Sequence, residues 1–73
     1  MFVLIVYDVS TKDEGGARRL RRVAKTCEDY GIRVQNSVFE CTISLTHWTQ
    51  FKFKLLEEIN DQEDSLRFYF LDQ

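Results

Sequence analysis

The feature that most constrains this chain is its opening segment, in which Phe2-Val3-Leu4-Ile5-Val6-Tyr7 is apolar at every position before Asp8. In a strand, alternate residues face opposite sides, so Phe2, Leu4 and Val6 share one face and Val3, Ile5 and Tyr7 the other. A strand apolar on both faces must be covered on both faces. The run is too short to span a bilayer, and it lacks the basic flank and small-residue cleavage site of an export signal. The expected compartment is therefore cytoplasmic, where thiols stay reduced. The only two cysteines, Cys27 and Cys41, make no metal-binding motif, and they would form one bridge only under oxidising conditions.

The remaining pattern supplies five more elements. From Ala17, the apolar residues Leu20, Val23, Ala24, Cys27 and Tyr30 recur at helical spacing, and Gly31 stops the helix. Ile32 to Ser44 reads as a hairpin turning at Asn36-Ser37, with Phe39, Cys41 and Ile43 alternating against Val38, Glu40 and Thr42. Thr46 is the expected cap of a second helix with Trp48, Phe51, Leu55 and Ile59 on one face, and Phe53 falls off that stripe. After an acidic loop, Asn60 to Asp64, a last strand runs from Ser65 to Leu71 with Leu66, Phe68 and Phe70 on one face.

The order β-α-β-β-α-β predicts an α+β, ferredoxin-like two-layer sandwich, a single domain over residues 1–73 with an antiparallel four-stranded sheet. Two helices cover one face of such a sheet. Val3, Ile5, Tyr7, Tyr69 and Leu71 are expected to make the other face apolar as well. A bare apolar face of that kind marks a protein interface, so a homodimer packed through the sheet face is expected. A chain of 73 residues is also small enough for a partner to matter to its stability.

The net charge of −2 argues against bulk attraction to nucleic acid, but it averages unlike halves. Residues 10–35 carry +3 and residues 40–73 carry −4. Arg18, Arg21, Arg22 and Lys25 fall within about 100° of each other on the first helix, opposite its apolar stripe. That face is either solvated surface or a phosphate track, and its arginines suit bidentate phosphate contact. Asp8 is either a turn cap or a ligand-binding carboxylate. One carboxylate holds a hard divalent cation poorly, whereas two across a dimer axis can share one. His47 is the only histidine and sits at a helix start, so no nucleophile–histidine triad is indicated. Gly15-Gly16 has no phosphate-loop spacing.

Four stretches together resemble one family: Val6-Tyr7-Asp8-Val9-Ser10, Arg18-Arg19-Leu20-Arg21-Arg22-Val23, Gly31 to Glu40, and Asp64-Ser65-Leu66-Arg67-Phe68-Tyr69. It is the small CRISPR-associated protein of the spacer-acquisition pair, the partner of the CRISPR integrase. The resemblance implies a ferredoxin-like homodimer and a metal-dependent endonuclease acting on double-stranded DNA or single-stranded RNA. It also implies a scaffold role, in which the dimer carries integrase subunits and a DNA fragment. Asp8 would be the metal residue, one from each protomer, with Mg²⁺ bound and Mn²⁺ able to substitute. Tyr7 would flank the site, and Arg33 and Phe39 match hairpin positions implicated in activity. Arg18, Arg19, Arg22 and Lys25 would face nucleic acid. Members carry a fifth strand that crosses to the partner's sheet, and this sequence is expected to lack it. The alternatives are a non-catalytic DNA-binding scaffold of the integrase complex and, more remotely, an unrelated ferredoxin-like regulatory dimer.

Overall fold

The structure, a computed structural model, describes residues 1–71; the last two positions of the expected 1–73 domain lie outside them. The elements are β1 (Phe2–Asp8), α1 (Gly16–Tyr30), β2 (Ile32–Gln35), β3 (Val38–Thr42), α2 (Leu45–Glu58) and β4 (Ser65–Leu71). The strands form one antiparallel sheet in the order β2-β3-β1-β4, and both helices lie on one side of it. This is the expected ferredoxin-like α+β sandwich, with the most apolar strand in the interior of the sheet.

Register decides which half of β1 meets the helices. Ile5 stands opposite Phe39 and Phe68, and Val3 opposite Cys41 and Phe70. Residues directly opposite one another share a face, so Val3, Ile5 and Tyr7 join Phe39 and Cys41 in the buried core. The expectation that Val3, Ile5 and Tyr7 sit on the uncovered face with Tyr69 and Leu71 is therefore corrected. The uncovered face carries Phe2, Leu4 and Val6 from β1, with Val38, Glu40 and Thr42 from β3 and Arg67, Tyr69 and Leu71 from β4. It is still a largely apolar face, reached through the other set of residues.

Val23 and Cys27 of α1 and Trp48, Phe51 and Leu55 of α2 complete the core. Aromatic packing holds α2 in place: Phe51 stacks on Tyr30 at 4.6 Å, and Trp48 meets Phe68 and Phe70 edge-on at 4.8 and 5.4 Å. Such pairs contribute about 0.5–1.5 kcal/mol each beyond their burial. Thr26 of α1 donates its hydroxyl to Glu58 of α2 at 2.8 Å, fixing the two helices against each other.

The cap of α2 is Ser44, whose Oγ accepts from the His47 backbone N–H at 3.2 Å, rather than Thr46. The helix begins one turn earlier than its apolar stripe, at exposed Leu45. Gly31 ends α1 in extended backbone, its N–H donating to the Cys27 carbonyl at 2.8 Å. Any Cβ there would collide with the Cys41 sulfur and the Glu40 carbonyl, so glycine is required by crowding. Phe53, off the stripe as expected, is 63% exposed on the outer side of α2.

Candidate functional site

Asp8 is the last residue of β1 and pairs in register with Ser65, the first of β4. Strand alternation puts it on the uncovered face with Leu4 and Val6, and it is exposed. It opens onto a shallow cleft of about 430 Å³ lined by Asp8, Ser10, Lys12, Gln62, Glu63, Asp64 and Ser65. The cleft lies between the β1–α1 and α2–β4 loops, where the two strands diverge.

Asp64 forms the inner wall of that cleft with a side chain 0% exposed. Its Oδ1 accepts from the Ser10 N–H at 3.0 Å and Arg19 Nη2 at 3.3 Å; its Oδ2 accepts from Arg19 Nε at 2.9 Å and the Asn60 N–H at 2.8 Å. Burial pushes this carboxyl up, but the bonds from Arg19, Asn60 and Ser10 prevail and hold it below the usual carboxylate range. Arg19 Nη2 also donates to the Ser10 carbonyl at 3.3 Å, and Nη1 to Asp13 at 3.4 Å. Asp64 was not singled out in the sequence, where it reads as one of several acids in a solvated loop. The only local sign is its place directly before an apolar strand.

Tyr7, Arg33 and Phe39 come together, but on the other side of the sheet from Asp8. The Tyr7 ring stacks on Phe39 at 6.2 Å, and the Arg33 guanidinium lies 5.0 Å from the same ring. Tyr7 Oη and Arg33 Nη1 both donate to the Asn36 carbonyl, at 3.3 and 3.1 Å, which clasps the β2–β3 turn. Burial raises the Tyr7 phenol above its ordinary value, with further raising from Cys27 and Glu28 and partial opposition from Arg33. Tyr7 is thus a neutral hydrogen-bond donor near pH 7.

On α1, Arg18, Arg21 and Arg22 are exposed and make no ion pair or side-chain hydrogen bond among the described residues. Lys25 is paired with Asp29 at 2.8 Å. Arg19 is turned away from this group toward Asp64. The expected basic face therefore has three unpaired arginines, with Lys25 neutralised beside them.

A hard divalent cation needs oxygen donors that converge on it. Among the described residues, no three of His, Cys, Asp and Glu converge as ligands. Both Asp64 oxygens are already saturated. Asp8 is accessible at the rim of the uncovered face, on which Glu40 is also exposed, and one or two carboxylates suffice for a Mg²⁺ ion that keeps most of its waters. Asp8 would supply one carboxylate toward such an ion. Among the described residues, no helix is long and apolar enough to cross a membrane.

Fold and surface together define a small ferredoxin-like sandwich with an accessible aspartate at the rim of its bare sheet face and unpaired arginines on its first helix. Comparison makes the assignment specific. The family model described as CRISPR associated protein Cas2 matches residues 1–73, and the chain belongs to that family. It is 58% identical over 71 residues to the CRISPR-associated endoribonuclease Cas2 of Nitratidesulfovibrio vulgaris, covering 97% of this chain and 70% of that protein. It is 55% identical over 69 residues to the CRISPR-associated endonuclease Cas2 of Halalkalibacterium halodurans, covering 94% and 72%. The crystal structure of Streptococcus pyogenes Cas2 at pH 6.5 superposes with a TM-score of 0.89 at 50% identity, covering 99% of this chain and 87% of that one. Of these, the Nitratidesulfovibrio vulgaris protein is named an endoribonuclease and the Halalkalibacterium halodurans protein an endonuclease.

Proposed function

We propose that this chain is a metal-dependent endonuclease of CRISPR spacer acquisition that hydrolyses phosphodiesters as a homodimer, with double-stranded DNA as its first substrate and single-stranded RNA as the other. The observation that carries the proposal is the placement of Asp8: accessible, at the mouth of a cleft, on a sheet face that the helices leave uncovered. Packing two copies through that face covers Leu4, Val6, Tyr69 and Leu71 and sets the two Asp8 side chains at one shared rim. The two carboxylates would hold Mg²⁺ or Mn²⁺, which supplies positive charge to the phosphate oxygens and acidifies water. Arg18, Arg21 and Arg22 hold the backbone phosphates, which sets affinity and register rather than sequence preference. Lys12, at the cleft wall, adds a cation within the same opening. Tyr7, Arg33 and Phe39 act by holding the end of β1 and the β2–β3 turn.

The test is Asp8→Asn in a plasmid-cleavage assay with Mg²⁺ and with Mn²⁺. Loss of cleavage with an unchanged melting temperature is expected; cleavage at the wild-type rate removes the metal role. A second reading, a non-catalytic scaffold for the integrase, is favoured by one observation: Tyr7, Arg33 and Phe39 cluster on the opposite face of the sheet from Asp8 and do not join it in one site. Spacer acquisition that survives Asp8→Asn would select the scaffold.

A further inference from the structure

Arg19 and Asp64 are 45 positions apart, and the Asp64 carboxylate accepts four hydrogen bonds, two of them from Arg19. We infer that they act as one positioning unit, which fixes the loop after Asp8 to the loop before Ser65 and so sets where the Asp8 carboxylate stands; this rests on the proposed phosphodiester site.

The backbone ladder between β1 and β4 ends at the pair Asp8–Ser65. Beyond that rung the strands diverge, and no main-chain pairing remains to hold them. The Asp64 carboxylate takes over at this point, accepting the N–H of Ser10 on one side and the N–H of Asn60 on the other. Arg19 then closes the arrangement from α1, bonding both carboxylate oxygens and the Ser10 carbonyl. A third contact backs the same loop: a Cβ on Gly16 would strike the Ser10 carbonyl and the Thr11 backbone, so α1 starts directly against it. Asp8 is thus two residues from one end of the clamp and one strand away from the other.

The same geometry removes Arg19 from the nucleic-acid face. A guanidinium has five N–H donors in a fixed fork. Arg19 directs four of them at Asp64, Ser10 and Asp13, and its side chain is 17% exposed. A phosphate would find one donor at most, whereas Arg18, Arg21 and Arg22 offer whole forks. Removing either member of the unit leaves the other buried without its partner.

The experiment compares Arg19→Gln, Asp64→Asn and the double variant in the full chain, with Asp8→Asn and Arg18→Gln alongside. Each single is expected to lower kcat about 10-fold with KM little changed, as loss of placement does. The double should fall by the same about 10-fold rather than by the product, since the residues work together. Neither should alter the salt dependence of binding to a mixed-sequence DNA duplex, whereas Arg18→Gln should flatten it. Amide exchange at Ser10 and Asn60 should quicken in both singles while exchange in β1 and β3 stays slow. A flattened salt slope in Arg19→Gln but not in Asp64→Asn would make Arg19 a phosphate contact and overturn the inference. Multiplicative losses in the double would do the same, as would a lowered melting temperature with unchanged kcat. An Asp8→Asn variant that cleaves normally removes the site reading itself, a result on which the salt slope and the exchange rates do not depend.

Discussion

Leu4→Asp tests whether the uncovered face of the sheet is the place where two copies meet. Leu4 is half-buried in the protomer and stands in register between Glu40 and Tyr69. Its replacement therefore costs the isolated protomer little. In a two-fold dimer the change occurs twice. Full burial of a leucine is worth about 1.5–3 kcal/mol, and the part still exposed in the protomer is at most about a third of that per copy. Each aspartate then lies beside Glu40 of its own sheet inside a closed interface, and each desolvated carboxylate without a partner adds on the order of 1 kcal/mol or more. The sum is about 3–6 kcal/mol, a loosening of dimer affinity by roughly 10² to 10⁴-fold. Sedimentation velocity across a concentration series reads this directly, with circular dichroism confirming that the protomer stays folded. Phe53→Asp is the control: a more exposed apolar site on the outer side of α2, expected to leave the dimer intact. A Leu4→Asp protein that sediments like wild type, or a Phe53→Asp protein that becomes monomeric, refutes the assignment of the interface.

Arg18→Ala with Arg22→Ala should weaken duplex binding and reduce the slope of log affinity against log salt by about two, measured by fluorescence anisotropy at several salt concentrations. Asp64 has a depressed carboxyl in the folded chain, so its contribution to stability is present above the unfolded carboxylate range, near pH 4, and is lost as pH falls through the lower folded value. Denaturant midpoints across acid pH should therefore drop in wild type and drop less in Asp64→Asn. Burial pushes the Cys27 thiol up to about 12, helped by neighbouring Cys41 and Glu58, and burial alone pushes Cys41 up to about 11. Both should resist a thiol-specific chromogenic reagent at pH 8 and react promptly once the chain is unfolded in denaturant.

The order of elements and most of the core were legible because they rest on short-range periodicity. Phe39 and Cys41 alternate with Glu40 and Thr42, and Trp48, Phe51 and Leu55 repeat at helical spacing; both patterns say which side faces inward. β1 carries no such pattern. An unbroken apolar run is equally consistent with either assignment, and only the register of Ile5 against Phe39 and Phe68 resolves it. The α2 cap was misplaced for a related reason: Leu45 is apolar yet exposed, so the helix starts before its stripe does. Asp8 was readable as a carboxylate ending an apolar strand. The company it keeps was not, because Arg19 sits among other cations and Asp64 among other acids, and nothing local says which pair will meet. Tyr7, Arg33 and Phe39 are adjacent in space as a group, but the alternation at Tyr7-Asp8 turns Asp8 to the opposite face from them.

That alternation makes β1 behave as a parity code. Removing Val6 exchanges inside and outside for everything on the N-terminal side of the cut, while Asp8 stays anchored opposite Ser65. The core would then receive Phe2 and Leu4 in place of Val3 and Ile5, all of them apolar, so the protomer has means to fold either way. The bare face would inherit Val3 and Ile5, with a new relief and without its match to Tyr69. A single-residue indel in β1 is therefore a change that the fold can survive and the pairing of two copies cannot. Length variation in this protein should be sought outside the strands, where their parity is untouched.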